Sequence, residues 1–183
     1  MNFPNSLAQR WREKRFTSFN RALRDRFDAR VYKIGLRMDF TCPNRDGKVA
    51  VGGCICCNNA SHTAQDYRPR TSVTTQLEKG ALAIQRRHKA EQFIAYFQSY
   101  TNTYDSTAKL ARLYEEALRF PGVVGLSITQ RGRIALRDET LDLLRDLAKQ
   151  TYLWLRDRTR IHVRPYARVG QSRSWLEGIY RRG

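Results

Sequence analysis

All four cysteines of this 183-residue chain lie between positions 42 and 57. Three of them follow the spacing Cys42-x11-Cys54-x2-Cys57, and Cys56 is an additional thiol beside the last one. A Cys-x-x-Cys pair brings two sulfur atoms to one metal centre, and a third cysteine from the same loop completes three ligands. Three thiolates hold an iron–sulfur cluster while one iron stays open for a substrate or cofactor. The spacing therefore predicts that Cys42, Cys54 and Cys57 are metal ligands.

The residues alone leave other uses of these thiols open. A structural zinc site needs four ligands in a closed tetrahedron, and Cys56 or His62 would supply the fourth. A redox pair of the thioredoxin type is less favoured, because Cys54-x-x-Cys57 does not begin a helix directly after a strand. Incidental buried thiols would have no reason to cluster so closely. For Cys56 we favour a buried apolar role, since adjacent side chains point apart and Cys57 already provides the ligand spacing.

The formal net charge of the chain is +17, from 34 Lys and Arg against 17 Asp and Glu. Both ends are rich in arginine, and such a surface attracts polyanions, so RNA, DNA and anionic lipid are reasonable partners. No apolar stretch reaches the length of a membrane span, and the N-terminus lacks the pattern of a secretory signal. We therefore expect a cytoplasmic protein, in which thiols stay reduced and serve as metal or redox groups.

Hydrophobic periodicity divides the chain into alternating helices and strands. Apolar residues recur at helical spacing over 5–29, which predicts an amphipathic helix or helix pair with a basic outer face. Short apolar runs predict four strands, and a loop from about 37 to 70 that carries every cysteine follows the first of them. The predicted strands are 31–36, 93–97, 123–128 and 151–155, and the predicted helices between them are 71–90, 106–120 and 138–150.

The order β-loop-α-β-α-β-α-β requires right-handed crossovers and therefore predicts an α/β fold with a parallel sheet. The cysteine loop follows the first strand and precedes a helix. This order places the loop at the carboxyl edge of the sheet, where α/β proteins build their sites. Gly52 and Gly53 directly precede Cys54. We expect backbone wrapped so closely around an inorganic core that a Cβ would collide there.

Four segments carry a family resemblance: 31–47 and 52–58 around the cysteines, then 93–104 and 121–128. In these segments the chain resembles the YhcC-like radical SAM proteins. That is a bacterial family of unassigned substrate, related to the tRNA-modifying elongator-type radical SAM enzymes. The resemblance runs from about residue 10 to about residue 155 and is most specific in the cysteine loop. It implies a partial (β/α) barrel of radical SAM type, with about four strands in this chain.

The resemblance also implies a radical SAM enzyme. Cys42, Cys54 and Cys57 would hold three irons of a [4Fe–4S] cluster, and the fourth iron would bind S-adenosylmethionine. One electron from an external donor would release a 5′-deoxyadenosyl radical, which takes a hydrogen atom from a substrate that the sequence does not identify. Gln98 and Asn102 follow the second strand, where related enzymes contact the methionyl amino group. Capping of a helix by these polar residues is an equally good interpretation.

The sequence departs from the family pattern at two places. After the third strand the family has Thr-Arg-Pro-Asp-Cys, whereas this chain has Gln130-Arg-Gly-Arg-Ile-Ala135. A pair of compensating frameshifts around 129–137 would explain this difference. After the fourth strand, Arg156 begins an arginine-rich run in place of Glu-x-Gly-Leu-Gln-Ser, whose glutamate commonly helps to hold the cofactor. The coding DNA, read in its other frames, tests this frameshift hypothesis. Its alternative is a genuine RNA-binding arm.

These observations divide the chain into a basic helical segment (1–30), a partial radical SAM core (31–155) and an arginine-rich, disordered tail (156–183). Four strands would leave an unpaired edge and exposed apolar surface, so we expect low stability or association. The pattern leaves open whether such a chain is active. The alternative function is a non-catalytic, zinc-stabilised module that binds nucleic acid, which the net charge favours. Neither the substrate nor the oligomeric state follows from the sequence.

Overall fold

A computed structural model describes residues 18–53, 71–130 and 135–157. Helices and strands alternate through this part of the chain, as the periodicity predicts, and each helix after the first connects two neighbouring strands. The elements are α1 (Phe19–Phe27), β1 (Val31–Arg37), α2 (Val73–His88), β2 (Gln92–Gln98), α3 (Thr107–Leu118), β3 (Val123–Gln130), α4 (Asp138–Gln150) and β4 (Tyr152–Asp157).

The four strands form one parallel sheet in the order β1-β2-β3-β4. Each strand pairs with the next one in the chain, so that β1 and β4 are the edges of the sheet within the described residues. Because the strands are parallel, the loops that follow them meet at one edge. The predicted α/β fold with a four-stranded parallel sheet is confirmed, and its topology is compatible with a partial barrel.

Serine side chains begin three of the four helices. Ser18, Ser72 and Ser106 each have extended backbone and accept a hydrogen bond from the backbone N–H three residues later. Such N-caps satisfy a donor that the first turn of a helix leaves unpaired, and each contributes about 1 kcal/mol. The serine before α3 matters most for the site, because it ends the loop that follows β2.

Helices α2, α3 and α4 cover one face of the sheet. Alternate side chains of all four strands point to this face and are buried, so that they form the main apolar core with the helices. Burying one such side chain stabilises the fold by about 1.5–3 kcal/mol. The strand residues of this core include Ile34, Leu36, Ala95, Phe97, Leu126, Ile128, Leu153 and Leu155, and the helical residues include Leu77, Leu110, Tyr114, Leu144 and Leu147.

The opposite face of the sheet, which we call the α1 face, is apolar at one end and polar at the other. Helix α1 packs on the end where the strands begin, and its Leu23 forms a small buried cluster with Val31 and Ile94. At the first turn of α1, the Phe19 ring stacks on Trp154 of β4 at a centroid distance of 4.6 Å. Further along the strands, this face carries charged and polar side chains.

The strands and helices lie close to their predicted ranges, and one predicted boundary shifts. β4 runs to Asp157, so the predicted division between core and tail at 155 and 156 falls inside a strand. Arg156 is therefore a residue of the sheet. Of the helical segment predicted over 5–29, the structure describes residues 18–29, and the helix there is α1. Residues 1–17 and 158–183 lie outside the described residues. Among the described helices, none is both long and apolar enough to cross a membrane.

Candidate functional site

Cys42 lies at the carboxyl edge of the sheet, shortly after β1 ends. Its side chain is buried, with 5% of its surface exposed. The carbonyl oxygen of Cys42 accepts hydrogen bonds from the backbone N–H groups of Arg45 at 2.8 Å and Asp46 at 3.3 Å, and the Pro43 carbonyl accepts one from Val49 at 2.9 Å. The first part of the predicted loop is therefore a compact turn that begins at the cysteine.

Thr101 contacts the sulfur of Cys42 from the loop that follows β2. Its hydroxyl donates a hydrogen bond to Cys42 Sγ at 3.3 Å, and the whole Thr101 side chain is buried. The backbone N–H of Thr101 also donates to the carbonyl of Thr41 at 3.2 Å. These two contacts join the loops after β1 and β2, and they give the sulfur a hydroxyl donor in a place that water does not reach.

Asn102 joins the loop after β2 to the end of β3. Its backbone N–H donates to the Thr129 carbonyl at 2.7 Å, and its Oδ1 accepts from the Thr129 N–H at 3.2 Å. Its Nδ2 donates to the carbonyl of Ser99 at 2.9 Å, and no part of the residue is exposed. Both polar atoms of the amide thus bond to the protein backbone. In this structure the residue holds the loop in place.

The backbone of the loop after β2 adopts an uncommon conformation just before Thr101. Ser99 and Tyr100 have φ angles of 69° and 60°, in the left-handed region that residues other than glycine seldom occupy. Buried hydrogen bonds offset this strain. One comes from the Tyr114 hydroxyl, which donates to the Asn102 carbonyl at 2.6 Å. Burial, followed by the Asp105 carboxylate, raises the pKa of Tyr114 well above its usual value, so the hydroxyl stays protonated as a donor.

Gln76 of α2 fixes the point at which β1 turns into the cysteine loop. Its side-chain Oε1 accepts from the Arg37 N–H at 2.7 Å, and its Nε2 donates to the Arg37 carbonyl at 2.8 Å. Gln76 is fully buried beside the apolar residues Val73 and Leu77. β1 is an edge strand of the described sheet, and the glutamine amide satisfies the backbone groups at its end as a neighbouring strand would.

The two glycines before Cys54 have backbone conformations that favour glycine. Gly52 and Gly53 have φ angles of 84° and 95°, which only glycine adopts without strain. A Cβ at Gly52 would meet no protein atom within 4 Å, and a Cβ at Gly53 would meet only the flexible Arg45 side chain at 3.1 Å. Within the protein itself, the need for glycine here is therefore conformational rather than one of space.

Gln98 ends β2 on the α1 face of the sheet. It pairs with Arg37 of β1, and its amide lies over Gly35, where a Cβ would collide with the Nε2 atom. The glycine therefore leaves room for the glutamine side chain. The structure brings Gln98 to the same edge of the sheet as Cys42, on a neighbouring strand.

Cation–π contacts tie the turn after Cys42 to the loop after β2. The Arg45 guanidinium lies 5.0 Å from the Tyr100 ring centroid, and the Lys48 ammonium lies 5.4 Å from that of Tyr104. Burial, followed by the carboxylate of Asp46, raises the pKa of Tyr104 above its ordinary value. Exposed contacts of this kind contribute about 0.5–1 kcal/mol each. They hold the two loops together at the edge where Cys42 lies.

The remaining cysteines lie outside the described residues, which stop at 53 and resume at 71. This gap includes Cys54, Cys56, Cys57 and His62. In the part of the chain that the structure describes, no three His, Cys, Asp or Glu side chains come together as metal ligands. The geometry therefore covers one predicted ligand, Cys42, and both predicted cofactor contacts, Gln98 and Asn102.

Comparison with known proteins finds similarity to uncharacterised bacterial proteins and to YhcC. The chain is 37% identical over 143 residues to the uncharacterised protein YtqA of Bacillus subtilis and 35% identical over 144 residues to the protein YhcC of Escherichia coli K12. These alignments cover 78% of this chain. The chain is a relative of the YhcC-like proteins. An uncharacterised protein of the archaeon Methanocaldococcus jannaschii is 26% identical over 143 residues.

The chain spans less than half the length of these relatives. The alignments cover 44% of YtqA, 45% of YhcC and 42% of the archaeal protein. No family model matches the chain, and no solved structure matches it. The similarity to YhcC and YtqA therefore supports the family, and the activity of the whole relatives comes to this chain only as a proposal.

Three residues at this edge were not among the predicted site residues: Gln76, Thr101 and Tyr114. Gln76 and Tyr114 occupy buried positions on the apolar faces of their helices, where a polar atom requires a partner. That pattern was visible in the sequence, because Gln76 stands directly before Leu77 on a helix face that is otherwise apolar. Thr101 had no such signal, since its role depends on a contact between two loops.

Proposed function

We propose that the chain binds a [4Fe–4S] cluster through Cys42, Cys54 and Cys57 and binds S-adenosylmethionine at the open iron, as a radical SAM enzyme whose substrate is unknown. The observation that carries the proposal is the position of Cys42. This thiol is buried at the carboxyl edge of a parallel sheet and receives a hydrogen bond from Thr101. The spacing of the other two cysteines and the similarity to YhcC add to it.

The surroundings of Cys42 fit a cluster ligand. A thiolate needs compensation when it is removed from water, and the Thr101 hydroxyl at 3.3 Å supplies a donor to the sulfur. Hydrogen bonds to cysteine sulfurs and low exposure to solvent are among the features that set the reduction potential of an iron–sulfur cluster. Thr101 is therefore a positioning and tuning residue for Cys42 in this proposal.

When bound, the cluster would supply the electron that cleaves S-adenosylmethionine and so generates a 5′-deoxyadenosyl radical. The chain's own contribution is to hold and enclose the groups. Asn102 keeps the loop after β2 in contact with the end of β3 through its two bonds to Thr129. Gln98 lies at the same edge, and its amide has the polarity to contact the methionyl amino group. The Asn102 amide already bonds to the Ser99 carbonyl and the Thr129 N–H. It could contact the methionyl amino group only through the hydrogen-bonding capacity that these two bonds leave unused.

Anaerobic reconstitution tests the proposal. The full chain is incubated with ferrous iron and sulfide, purified, reduced with dithionite and supplied with S-adenosylmethionine. We expect a brown protein with an iron–sulfur absorption band in the visible range, and 5′-deoxyadenosine as a product. Bound zinc without this absorption would instead favour the non-catalytic module. A cluster without cleavage of S-adenosylmethionine would leave metal binding standing and remove the enzymatic part.

A pair of substitutions at Thr101 tests its part in the proposal. Thr101→Val keeps the shape of the side chain and removes the hydroxyl, whereas Thr101→Ser keeps the hydroxyl. Because a hydrogen bond to sulfur stabilises the more negatively charged reduced state, we expect Thr101→Val to make the midpoint potential of the cluster more negative. Thr101→Ser should stay close to the wild type in a potentiometric titration. Equal potentials in all three proteins would contradict this role.

The alternative function is a zinc-stabilised module that binds nucleic acid, and the net charge of +17 is the observation in its favour. It makes a separate expectation about metal and partner. Such a module would contain one zinc per chain, and its affinity for RNA would fall steeply with salt and disappear on removal of the zinc. If the affinity for RNA did not depend on the bound metal, the binding would come from the arginine-rich surface alone.

A further inference from the structure

Two cations face the same aromatic rings on the α1 face of the sheet. Pairing between strands places Tyr96, Ser127 and Trp154 side by side on β2, β3 and β4. Lys33 of β1 and Arg156 of β4 reach this row from opposite edges of the described sheet. We call these five residues the cation–aromatic cluster. It lies on the face of the sheet opposite the main core. None of its residues is among the cysteines predicted to bind iron.

The Lys33 ammonium lies among three rings. Its Nζ atom is 4.8 Å from the ring centroid of Phe19, 5.3 Å from that of Tyr96 and 5.1 Å from that of Trp154. Although Lys33 as a whole is exposed, these rings shield part of its ammonium from water. That desolvation lowers the pKa of Lys33, and the positive charge of Arg156 lowers it further.

Arg156 contacts two of these rings as well. Its guanidinium carbon is 5.2 Å from the Tyr96 centroid and 5.8 Å from that of Trp154, and the guanidinium donates a hydrogen bond to the Tyr96 hydroxyl. Rings of this kind stabilise a cation but leave its charge in place. Two positive charges therefore lie close to the same ring, that of Tyr96.

Among the carboxylates whose side chains the structure describes, none forms an ion pair with Lys33 or Arg156. The described ion pairs include Arg21–Asp25, Lys109–Asp105, Arg119–Glu115, Arg145–Asp142 and Lys149–Asp146, each between residues three or four positions apart. A native structure that brings two cations together without a counter-charge loses free energy to their repulsion. A bound anion would reverse that loss and would gain charge-assisted hydrogen bonds from both groups.

Ser127 supplies an independent indication of a missing partner. Its hydroxyl lies between Tyr96 and Trp154 in the strand register and is fully buried, and within the described residues it has no hydrogen-bond partner. A buried hydroxyl without a partner destabilises the folded state. An oxygen-rich ligand at this row would accept the hydrogen bond that Ser127 can donate.

From these contacts we infer that the cation–aromatic cluster binds a small ligand through an oxyanion, either a carboxylate or a phosphate ester, held between Lys33 and Arg156. Ser127 donates the third hydrogen bond, and the rings of Tyr96 and Trp154 contact the organic part of the ligand. This site goes beyond the proposed cluster and does not require it, because none of its residues is a predicted metal ligand. It can therefore be tested in protein that contains no iron.

Isothermal titration calorimetry with phenyl phosphate and with benzoate tests the site in the full, metal-free chain. Because the chain carries a large positive charge, matched controls are essential. Lys33→Gln is compared with Lys79→Gln, and Arg156→Gln with Arg87→Gln, since Lys79 and Arg87 are exposed on α2 and each pair removes the same charge. We expect each cluster variant to weaken binding about tenfold and each control to leave it within about twofold.

The outcomes separate the ligand classes and the proposal. Binding of phenyl phosphate alone assigns a phosphate ester, binding of benzoate alone assigns a carboxylate, and either result supports the site. Equal weakening by the cluster variants and their controls would show attraction by net charge only and would overturn it. Binding of neither probe by the wild type would overturn it as well. Lys33→Arg keeps the charge, and its retained affinity together with an unchanged circular dichroism spectrum separates loss of binding from loss of folding.

Discussion

The removal of the Asn102 side chain is expected to destabilise the candidate site strongly. In Asn102→Ala, the Thr129 N–H loses its bond of 3.2 Å to Oδ1, and the Ser99 carbonyl loses its bond of 2.9 Å to Nδ2. Asn102 itself is fully buried. Water therefore cannot replace the lost partners without entering the loop.

The magnitude follows from these two contacts. Each hydrogen bond contributes about 1 kcal/mol net, and a buried donor left without a partner costs about 1–3 kcal/mol. Since the Thr129 N–H is buried near the end of β3, we expect Asn102→Ala to lower the free energy of unfolding by about 2–4 kcal/mol. A change of this size is a large part of the total stability of a domain.

Urea unfolding of the metal-free chain, followed by circular dichroism, measures this change. Asn20→Ala serves as the matched control, because Asn20 is exposed on α1 and has no such role in the fold. The control should differ from the wild type by less than about 0.5 kcal/mol. If Asn102→Ala were as stable as the control, the amide would not be holding the loop, and a role for Asn102 directed toward a ligand would gain support.

Two further changes test the packing around the site. Tyr114→Phe should lower the free energy of unfolding by about 1–2 kcal/mol at neutral pH, because it removes the buried 2.6 Å bond of the hydroxyl. Since the folded state raises the pKa of Tyr114, wild-type stability should fall as the pH rises above about 10, where the unfolded chain ionises, and this fall should be weaker in the variant. Unfolding curves at several pH values measure both effects. An identical dependence of stability on pH in the two proteins would contradict the burial of the Tyr114 hydroxyl. Gly122→Ala should lower the free energy of unfolding by about 2–4 kcal/mol, because φ is 83° and a Cβ would collide with the rigid Glu91 carbonyl. Gly35→Ala should lower it by about 1 kcal/mol, because the Gln98 amide that a Cβ would meet there is flexible and can move. The same thermal or urea unfolding assay compares them, and a reversed order would show that the backbone yields more easily than the structure indicates.

The fold was predictable because its signals are local. Apolar runs such as 93–97 are long enough for a strand that is buried by helices, and a serine marks the start of each of three helices. Strands separated by helices leave few topologies, and the parallel order follows from that alternation. The end of β4 was less predictable, because Arg156 reads as polar in the sequence and lies in the sheet through contacts with rings on β2 and β4.

The site was less predictable because its contacts are distant in the chain. Cys42 could be singled out by spacing, but its partner Thr101 comes from another loop. The direction of the Asn102 side chain depends on the end of β3, which no local pattern reports. Gly52 was also only partly predictable. The sequence indicates that glycine is needed there, but it does not show whether the reason is a left-handed φ or a lack of space.

The iron and acid-labile sulfide content of four single variants tests the central claim most directly. Cys42→Ala, Cys54→Ala and Cys57→Ala are reconstituted beside Cys56→Ala, which removes the neighbouring thiol of the same loop and serves as the matched control. The account predicts that the first three lose most of their iron and their visible absorption, while Cys56→Ala keeps both at the level of the wild type. Full iron content in Cys42→Ala, or loss of iron in Cys56→Ala alone, would contradict the three-cysteine site.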